Sequence, residues 1–262
     1  MHQTELVSID GVPLEAVVHS PQGRPDRGLV IQAHGINVDM DEGGMFVRLA
    51  DRLAEAGFTV LRFSFRGHGN SGGARRGATI AGEMLDLQAA VEFMTARYPG
   101  PLSLVASSFG AVSTALSLPW LEDRLSRLVL WNPVLDLRRT FVEPELPWGK
   151  ENFGPEQQRL LHTQGFLMVD EEFELGRVLF EEFRYYRPVD HFVASGVPGL
   201  VVHGDRDGAV SYDIARSSAA AREHCDFYTV SGSDHGFDTR EREDEAITAT
   251  VDWLTTNAVD PR

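Results

Sequence analysis

Cysteine is almost absent from this chain. Its 262 residues contain only one, Cys225, so an internal disulfide cannot form and a cysteine-based metal cluster is excluded. Redox chemistry by paired thiols is ruled out for the same reason. Enzymes and metalloproteins that depend on clustered cysteines are therefore excluded as classes.

Long apolar runs are also missing. No continuous apolar stretch approaches the roughly 20 residues needed to cross a bilayer. The first residues, MHQTELVSIDG, lack the basic start and the apolar stretch of a secretory leader. We therefore expect a soluble, cytoplasmic protein with no membrane partner.

Positive charge is scarce as well. The formal net charge is −15, and no basic stripe reverses it locally. Such a chain repels phosphate backbones and anionic surfaces, so we expect no nucleic-acid partner. The sequence leaves open whether the chain forms a homodimer.

What is present is the pattern of an α/β protein. A hydrophobic content of 42% over 262 residues can bury one large core, and residues 1–262 are expected to form a single domain. Short apolar runs alternate with segments of helical period, which predicts a mostly parallel sheet with helices on both faces. The candidate strands are ELVSI, LEAVVH, GLVIQAH, FTVLRFS, LSLVAS, RLVLWN, GLVVH and DFYTVS. The first two flank Asp10-Gly11, which predicts an antiparallel hairpin.

Helices are predicted between these strands. Apolar residues recur three or four apart over residues 45–56, and Gly57 is suited to end that helix. The same spacing predicts a helix over residues 83–98, which Pro99 stops, and a last helix over residues 243–257.

Residues 136–191 break the alternation. No strand is apparent there, and PEQQRLLHTQGF and DEEFELGRVLFEEF predict two amphipathic helices. A long segment between strands often supplies a lid or a substrate pocket, so we expect a helical cap over one edge of the sheet. The alternative is that these are ordinary packing helices.

A candidate nucleophile lies in LSLVASSFGAVSTAL, residues 102–116. A strand that enters a helix through small–x–Ser–x–small residues makes a tight turn that exposes the serine hydroxyl above the sheet. Ala106 and Gly110 are the small residues, so Ser108 is the candidate and Ser107 its neighbour. Taken alone, Ser108 also fits the role of a helix N-cap.

The other members of a catalytic set follow in chain order. GDRDGAV, after the strand GLVVH, places Asp207 in a loop at the end of that strand, and Asp205 is the alternative, more suited to a local turn. SGSDHGFD, after the last strand, places His235 before the final helix. Ser, Asp and His at successive strand ends form the order of an acyl-transfer triad, in which a base activates the nucleophile and an acid orients the base.

Backbone N–H donors for an oxyanion are expected beside the nucleophile and in the loop after the third strand. These are the N–H groups of Phe109 and Ile36, with Asn37 as a weaker alternative. His34 is expected to hydrogen-bond the loop and not to transfer protons. The glycines of FRGHGNSGG suggest a phosphate cradle, but the segment lacks the Lys-Ser/Thr ending of a P-loop, which favours a tight structural loop.

Several of these segments together resemble a known family. AHGIN, FRGHGNSGG, ASSFG, HGDRDGAV and GSDHGF are similar to the corresponding segments of the α/β-hydrolase superfamily, and within it of bacterial serine-aminopeptidase-like hydrolases, including cinnamoyl and feruloyl esterases. The resemblance implies an α/β-hydrolase fold, a triad of Ser108, Asp207 and His235, and an oxyanion hole at Ile36 and Phe109. It also implies that no metal or cofactor is used and that a cap lies between the sixth and seventh strands.

A second similarity is to the acyl-carrier-protein thioesterases of luminous bacteria, which also have an Ala-Ser-Ser turn and a segment like VLDLRRTF. Three functions therefore stay open, with a small-molecule ester or thioester as the expected substrate. Hydrolysis of oxygen esters comes first, and an acyl-thioesterase or acyltransferase with the same triad comes second. A non-catalytic binding protein is third, because a fold alone does not establish an activity.

Overall fold

The structure is a computed structural model that describes residues 1–21 and 27–256. Asn257, at the end of the last predicted helix, lies outside the described residues. In the described part the strands are β1 (His2–Val7), β2 (Pro13–His19), β3 (Gly28–Ala33), β4 (Phe58–Phe63), β5 (Leu102–Ser107), β6 (Leu125–Trp131), β7 (Phe166–Val169), β8 (Phe173–Gly176), β9 (Gly199–Gly204) and β10 (Cys225–Val230). The helices are α1 (Met45–Ala56), α2 (Ile80–Arg97), α3 (Gly110–Leu121), α4 (Pro147–Phe153), α5 (Pro155–Gln164), α6 (Arg177–Glu182), α7 (Pro188–Ala194), α8 (Tyr212–Ala220) and α9 (Arg240–Thr256).

Eight of the strands form one mostly parallel sheet in the order β1-β2-β4-β3-β5-β6-β9-β10. β1 pairs antiparallel with β2, and β2 pairs antiparallel with β4, whereas the pairs from β4 to β10 are parallel. The predicted sheet and its starting hairpin are therefore confirmed. Every residue of β3, β4, β5 and β9 is buried, which explains why these strands are mostly apolar and show no alternation of polar and apolar residues.

Helices cover both faces of this sheet. In β3, Leu29 and Ile31 point to the face covered by α2, α3, α7 and α8, while Val30 points to the face covered by α1 and α9. α1 has the predicted bounds, and Gly57 ends it with a left-handed φ of 105°. α2 begins three residues earlier than predicted because the Thr79 side chain caps it, accepting a hydrogen bond from the N–H of Gly82 at 2.9 Å.

The expectation that residues 136–191 contain no strand is wrong. β7 and β8 form an antiparallel hairpin whose turn includes Asp170 and Glu171, both with left-handed φ. Phe173 and Leu175 are buried on either side of Glu174, a two-residue period that the sequence analysis read as part of a helix. Only α6 remains of that predicted helix, whereas PEQQRLLHTQGF does form α5. The insertion between β6 and β9, the sixth and seventh strands of the main sheet, is thus mixed and not purely helical.

The hairpin forms because tertiary contacts favour it. Leu167, Val169, Phe173 and Leu175 are buried in one apolar cluster with the helices of the insertion. From outside the insertion, the guanidinium of Arg76 lies 3.6 Å from the centre of the Phe166 ring. Arg76 also forms an ion pair with Glu174 at 2.8 Å. No helix in the described residues is both long and apolar enough to cross a membrane.

Candidate active site

The turn between β5 and α3 puts Ser108 at the carboxyl end of the sheet. Ser108 has a φ of 48°, a left-handed conformation that is strained for a residue with a side chain. Its N–H donates to the carbonyl of Trp131 at 2.8 Å, and its carbonyl accepts from the N–H of Val134 at 3.0 Å. A Cβ on Gly110 would lie 2.5 Å from the carbonyl oxygens of Ala33, the last residue of β3, and of His34, so only glycine lets α3 approach this closely. The turn therefore has the strained geometry that exposes a serine hydroxyl.

The loops after β5, β9 and β10 bring Ser108, Asp207 and His235 together. Nε2 of His235 lies 2.9 Å from the Ser108 hydroxyl, and Nδ1 of His235 lies 2.7 Å from Oδ2 of Asp207. Asp205, the alternative acid, is exposed and instead accepts a hydrogen bond from the N–H of Gly232 at 2.6 Å. Of the two aspartates, only Asp207 contacts the histidine.

Asp207 is held as an ionised hydrogen-bond acceptor. Its Oδ1 accepts from the N–H groups of Ala209 and Val210 at 2.8 Å each, and its Oδ2 accepts from both His235 and His203. Burial acts to raise the pKa of Asp207, but the charge of His235 and the hydrogen bonds from His203 and His235 outweigh it and hold the pKa well below its usual range. With a carboxylate at Nδ1, the histidine carries its proton there and leaves Nε2 free to accept from Ser108.

The pKa of His235 shifts the other way. Burial acts to lower the pKa of His235, but the negative charge of Asp207 and the hydrogen bond that His235 donates to it outweigh burial. Glu42 and Asp234 contribute further, so the pKa of His235 is raised. The environment thus favours a histidine that can hold a proton taken from Ser108.

The loop after β3 lies directly against Ser108. A Cβ on Gly35 would be only 3.3 Å from the Ser108 Cβ. Nε2 of His34 accepts from the N–H of Phe65 at 2.9 Å, so Nδ1 carries the proton and donates it to the carbonyl of Gly35 at 2.8 Å. As expected, the His34 ring hydrogen-bonds the loop. Because carbonyl and N–H point in opposite directions across a trans peptide, the N–H of Ile36 is directed away from His34.

The N–H groups predicted to bind the oxyanion are those of Ile36 and Phe109. Within residues 1–21 and 27–256, neither the N–H of Ile36 nor that of Phe109 donates a hydrogen bond to a protein group. The carbonyl of Ile36 is held separately, because Nε2 of His68 lies 2.7 Å from it. FRGHGNSGG, which contains His68, therefore supports the Ile36 loop.

Glu42 is a site residue that the sequence analysis missed. Its Oε2 accepts from the N–H of Gly35 at 2.9 Å, and its Oε1 accepts from the Ser107 hydroxyl at 3.0 Å. Burial raises the pKa of the Glu42 carboxyl to about 7. In the sequence Glu42 stands among other acids in DMDEGG, which reads as a solvated loop, so no local signal distinguishes it.

A cavity of about 570 Å³ opens onto Ser108 and His235. Ile36 lines it from the β3 loop, and Phe141 and Trp148 line it from residues 136–191. The charged side chains that line it, apart from His235, are carboxylates: Glu42, Glu151, Asp170, Asp234 and Glu243. Among the described residues, no group of three or more His, Cys, Asp or Glu side chains is placed to hold a metal ion.

Comparison with known families shows to which family the chain belongs. The family model described as serine aminopeptidase, S33, matches residues 24–165, more than half of the chain. The chain belongs to this family of α/β hydrolases. The resemblance noted in the sequence is therefore confirmed, and this hydrolase has the α/β-hydrolase fold. No curated protein sequence matches it.

Solved structures share the fold of this hydrolase over nearly its whole length. Est1E from Butyrivibrio proteoclasticus, with ferulic acid bound, is 21% identical over 97% of each chain, with a TM-score of 0.78. The Pyrococcus furiosus esterase Pf2001 is 20% identical over 97% of this chain and 90% of its own, with a TM-score of 0.73. Mouse alpha/beta hydrolase domain-containing protein 10 is 15% identical over 98% of this chain and 99% of its own, with a TM-score of 0.72. At these identities the likeness establishes the fold.

Two further residues of this hydrolase support the site and were missed from the sequence. His203 on β9 is fully buried, and its Nε2 lies 3.1 Å from Oδ2 of Asp207. The Asn132 side chain donates to the carbonyl of His235 at 2.5 Å and accepts from the N–H of Gly204 at 3.0 Å. His203 stands four residues before Asp207 in HGDRDGAV, which is the signal that could have found it, whereas Asn132 has none.

Proposed function

We propose that this hydrolase is a serine esterase that cleaves carboxylic esters through an acyl-enzyme. The observation that carries the proposal is the continuous hydrogen-bonded series from the Ser108 hydroxyl through His235 to Asp207, at 2.9 and 2.7 Å, beside a cavity of about 570 Å³. A nucleophile, a base and an orienting acid within hydrogen-bond reach are the requirements of acyl transfer.

In the first half-reaction, Nε2 of His235 takes the proton of the Ser108 hydroxyl as the oxygen attacks the ester carbonyl. The C–O bond forms and the carbonyl electrons move to the oxygen, which becomes a tetrahedral oxyanion. His235 then gives its proton to the leaving alcohol as the bond to the alcohol breaks. The acyl group remains on Ser108.

In the second half-reaction, His235 takes a proton from water, whose oxygen attacks the acyl carbonyl. Collapse of the second tetrahedral intermediate returns the proton to Ser108 and releases the acid. Asp207 stays ionised throughout and stabilises the imidazolium that forms twice in the cycle. The low pKa of Asp207 and the raised pKa of His235 suit these roles.

We assign the oxyanion hole to the N–H groups of Ile36 and Phe109. Support comes from the proximity of Gly35 to Ser108 and from the absence, in the described residues, of any protein acceptor for either N–H. Donors that are already oriented stabilise a developing negative charge without reorganisation, and one of them typically accounts for a factor of about 10²–10³ in kcat.

We further propose that residues 136–191 form a cap that selects the acyl group. Phe141 and Trp148 of this segment line the cavity and offer an apolar surface to an aryl or alkyl chain. The carboxylates around the same cavity disfavour an anionic group. An uncharged ester with an apolar acyl group fits both features.

The test is kcat/KM of the purified protein on matched acyl groups, short, long and cinnamoyl-type, each offered as an oxygen ester and as a thioester. We expect preference for uncharged oxygen esters and a loss of several orders of magnitude in kcat for Ser108→Ala. Ser107→Ala is the matched control and should keep activity within about tenfold, because only Ser108 contacts His235.

Three results would contradict the proposal. Full activity in Ser108→Ala would show that Ser108 is not the nucleophile. Complete inactivation by Ser107→Ala alone would indicate that Ser107 is the nucleophile instead. A preference for long-chain thioesters over the matched oxygen esters would replace the esterase with an acyl-thioesterase that uses the same residues.

A further inference from the structure

We propose that Glu42 is a positioning residue of this reaction, whose carboxylate holds the Ile36 loop and the Ser108 turn in a fixed relation and places a negative charge beside His235. This inference rests on the proposed function, because it assigns Glu42 a part in the same acyl transfer.

The geometry connects two separate segments through one side chain. Oε2 of Glu42 accepts from the N–H of Gly35, the residue before Ile36, at 2.9 Å. Oε1 accepts from the hydroxyl of Ser107, the residue before Ser108, at 3.0 Å. Each oxygen thus holds the chain neighbour of a proposed catalytic group. A shift of the β3 loop against the β5 turn would break one of the two hydrogen bonds.

The backbone at Glu42 is also unusual. Its φ is 47°, in the left-handed region that favours glycine, and the next two residues, Gly43 and Gly44, are glycines with left-handed φ. A charged side chain in this conformation is nevertheless 7% exposed and turned inward to the cavity. Backbone strain combined with a buried ionisable group is typical of functional sites and not of surface loops.

Glu42 and His235 are electrostatically coupled. Burial raises the pKa of Glu42, and so does the charge of Asp39 in the same loop. The pKa is lowered by the hydrogen bonds from Gly35 and Ser107 and by the charge of His235. Three carboxylates, Asp207, Glu42 and Asp234, act to raise the pKa of His235. When His235 takes the proton of Ser108, the negative charge of Glu42 therefore stabilises the imidazolium alongside Asp207.

Glu42→Gln tests the inference, because glutamine has nearly the same shape, can still accept from Gly35 and carries no charge. We would measure kcat and KM between pH 5 and 9 on the best ester of the panel. We expect kcat at the plateau to fall about tenfold with KM nearly unchanged, since the lost interaction acts in the transition state. The acid limb of kcat/KM should move to lower pH near pH 7, the range in which Glu42 ionises, because removal of its negative charge lowers the pKa of His235.

Glu241→Gln is the matched control, since it removes the same charge from an exposed position on α9 and should leave both kcat and the acid limb as in the wild type. Ser107→Ala is the second variant. It keeps the Glu42 carboxylate but removes one of the hydrogen-bond donors to it, so we expect a smaller loss of kcat, about two- to threefold.

An unmoved acid limb in Glu42→Gln, even with reduced activity, would show that Glu42 has only a structural role and would overturn the inference. Wild-type kcat in Glu42→Gln would overturn it as well.

A second readout separates this inference from the ester hydrolysis on which it rests. The rate at which a fluorophosphonate labels Ser108 measures how reactive the nucleophile is and whether the oxyanion hole functions. This measurement does not require that the correct ester be known. We expect slower labelling in Glu42→Gln, with its acid limb at lower pH, even if every ester in the panel is a poor substrate. Labelling of Ser108 at the wild-type rate and pH dependence would overturn the role of Glu42 and leave the nucleophile assignment intact.

Discussion

Ser108 and Glu42 are among the residues with side chains that take left-handed backbone angles at the site. Ser108 has a φ of 48° and Glu42 a φ of 47°, positions that cost on the order of 1 kcal/mol each for a residue other than glycine. At Ser108 the strain exposes a hydroxyl, and at Glu42 it accompanies a carboxylate turned inward. The packing of the Ser108 turn also depends on Gly110, because a Cβ there would lie too close to the carbonyl oxygens of Ala33 and His34.

At the residue scale we predict that Gly110→Ala destabilises the protein by about 3 kcal/mol, because the new Cβ would lie 2.5 Å from the carbonyl oxygens of Ala33 and His34 and would force α3 away from β3. Urea unfolding at 25 °C measures this through the transition midpoint. Gly77→Ala is the control, since a Cβ there meets nothing within 4 Å. Equal midpoints for the two variants would show that the turn tolerates a larger residue.

The hairpin of β7 and β8 is one of the elements that link the insertion to the site. At its tip, Asp170 accepts from the Asn37 side chain at 2.8 Å and from Nε1 of Trp148 at 2.7 Å. Asn37 directly follows Ile36, and Trp148 lines the cavity. One carboxylate therefore connects the β3 loop with an apolar wall of the pocket.

At the element scale we predict that Asp170→Ala raises KM for a bulky ester about tenfold while changing kcat less, because Trp148 and Asn37 lose a shared hydrogen-bond acceptor and the pocket wall loosens. Steady-state kinetics measures both parameters. Glu171→Ala is matched in charge, position and left-handed φ, and Glu171 does not line the cavity. An equal KM in the two variants would mean that the tip does not shape the pocket.

Elements differ in how well their local pattern predicts them. α1 was predicted from Met45 to Ala56 because its apolar spacing and Gly57 act locally, within one helix. The sequence does not reveal β8, because Phe173 and Leu175 are followed by apolar residues of α6, so that a short strand and a short helix together show the apolar spacing of one longer helix. The strand is distinguished from the helix only by the pairing of β8 with β7, which is a contact between two segments of the chain.

The whole molecule carries an excess of negative charge, and Glu42 adds a carboxyl whose ionisation works against folding. Its pKa is about 7 in the folded protein, against an ordinary value of 4.5. The folded state keeps this proton up to about pH 7, whereas the unfolded chain releases it near pH 4.5. The stability that the protonated carboxyl contributes is thus fully present below pH 4.5 and is lost as pH rises to 7, a total of about 3 kcal/mol.

At the scale of the whole molecule we predict that Glu42→Gln increases the free energy of unfolding at pH 8 by about 2–3 kcal/mol and changes it little at pH 4.5, because glutamine stays neutral at both values. Urea unfolding at the two pH values measures the difference. Glu241→Gln, which changes an exposed carboxylate, should show no such pH dependence. A Glu42→Gln effect of equal size at both pH values would contradict a raised pKa for Glu42.

The sequence by itself determined the main sheet and most of its helices, because apolar period, turn residues and helix-ending glycines act over a few neighbouring positions. It also singled out Ser108, Asp207 and His235, since each follows a strand and the carboxyl ends of parallel strands share one edge of the sheet. The order of these residues along the chain is therefore enough to select all three, and their catalytic role is a proposal.

Only the tertiary structure decided the surroundings of these three residues. Glu42 and Ser107 are 65 positions apart, and Asn132 and His235 are 103 apart. A carboxylate among other acids has no local feature that distinguishes a buried hydrogen-bond acceptor from a solvated surface charge. The burial of a side chain, its hydrogen-bond partners and its pKa depend on the folded environment. That environment is created by packing between segments that are distant in the sequence.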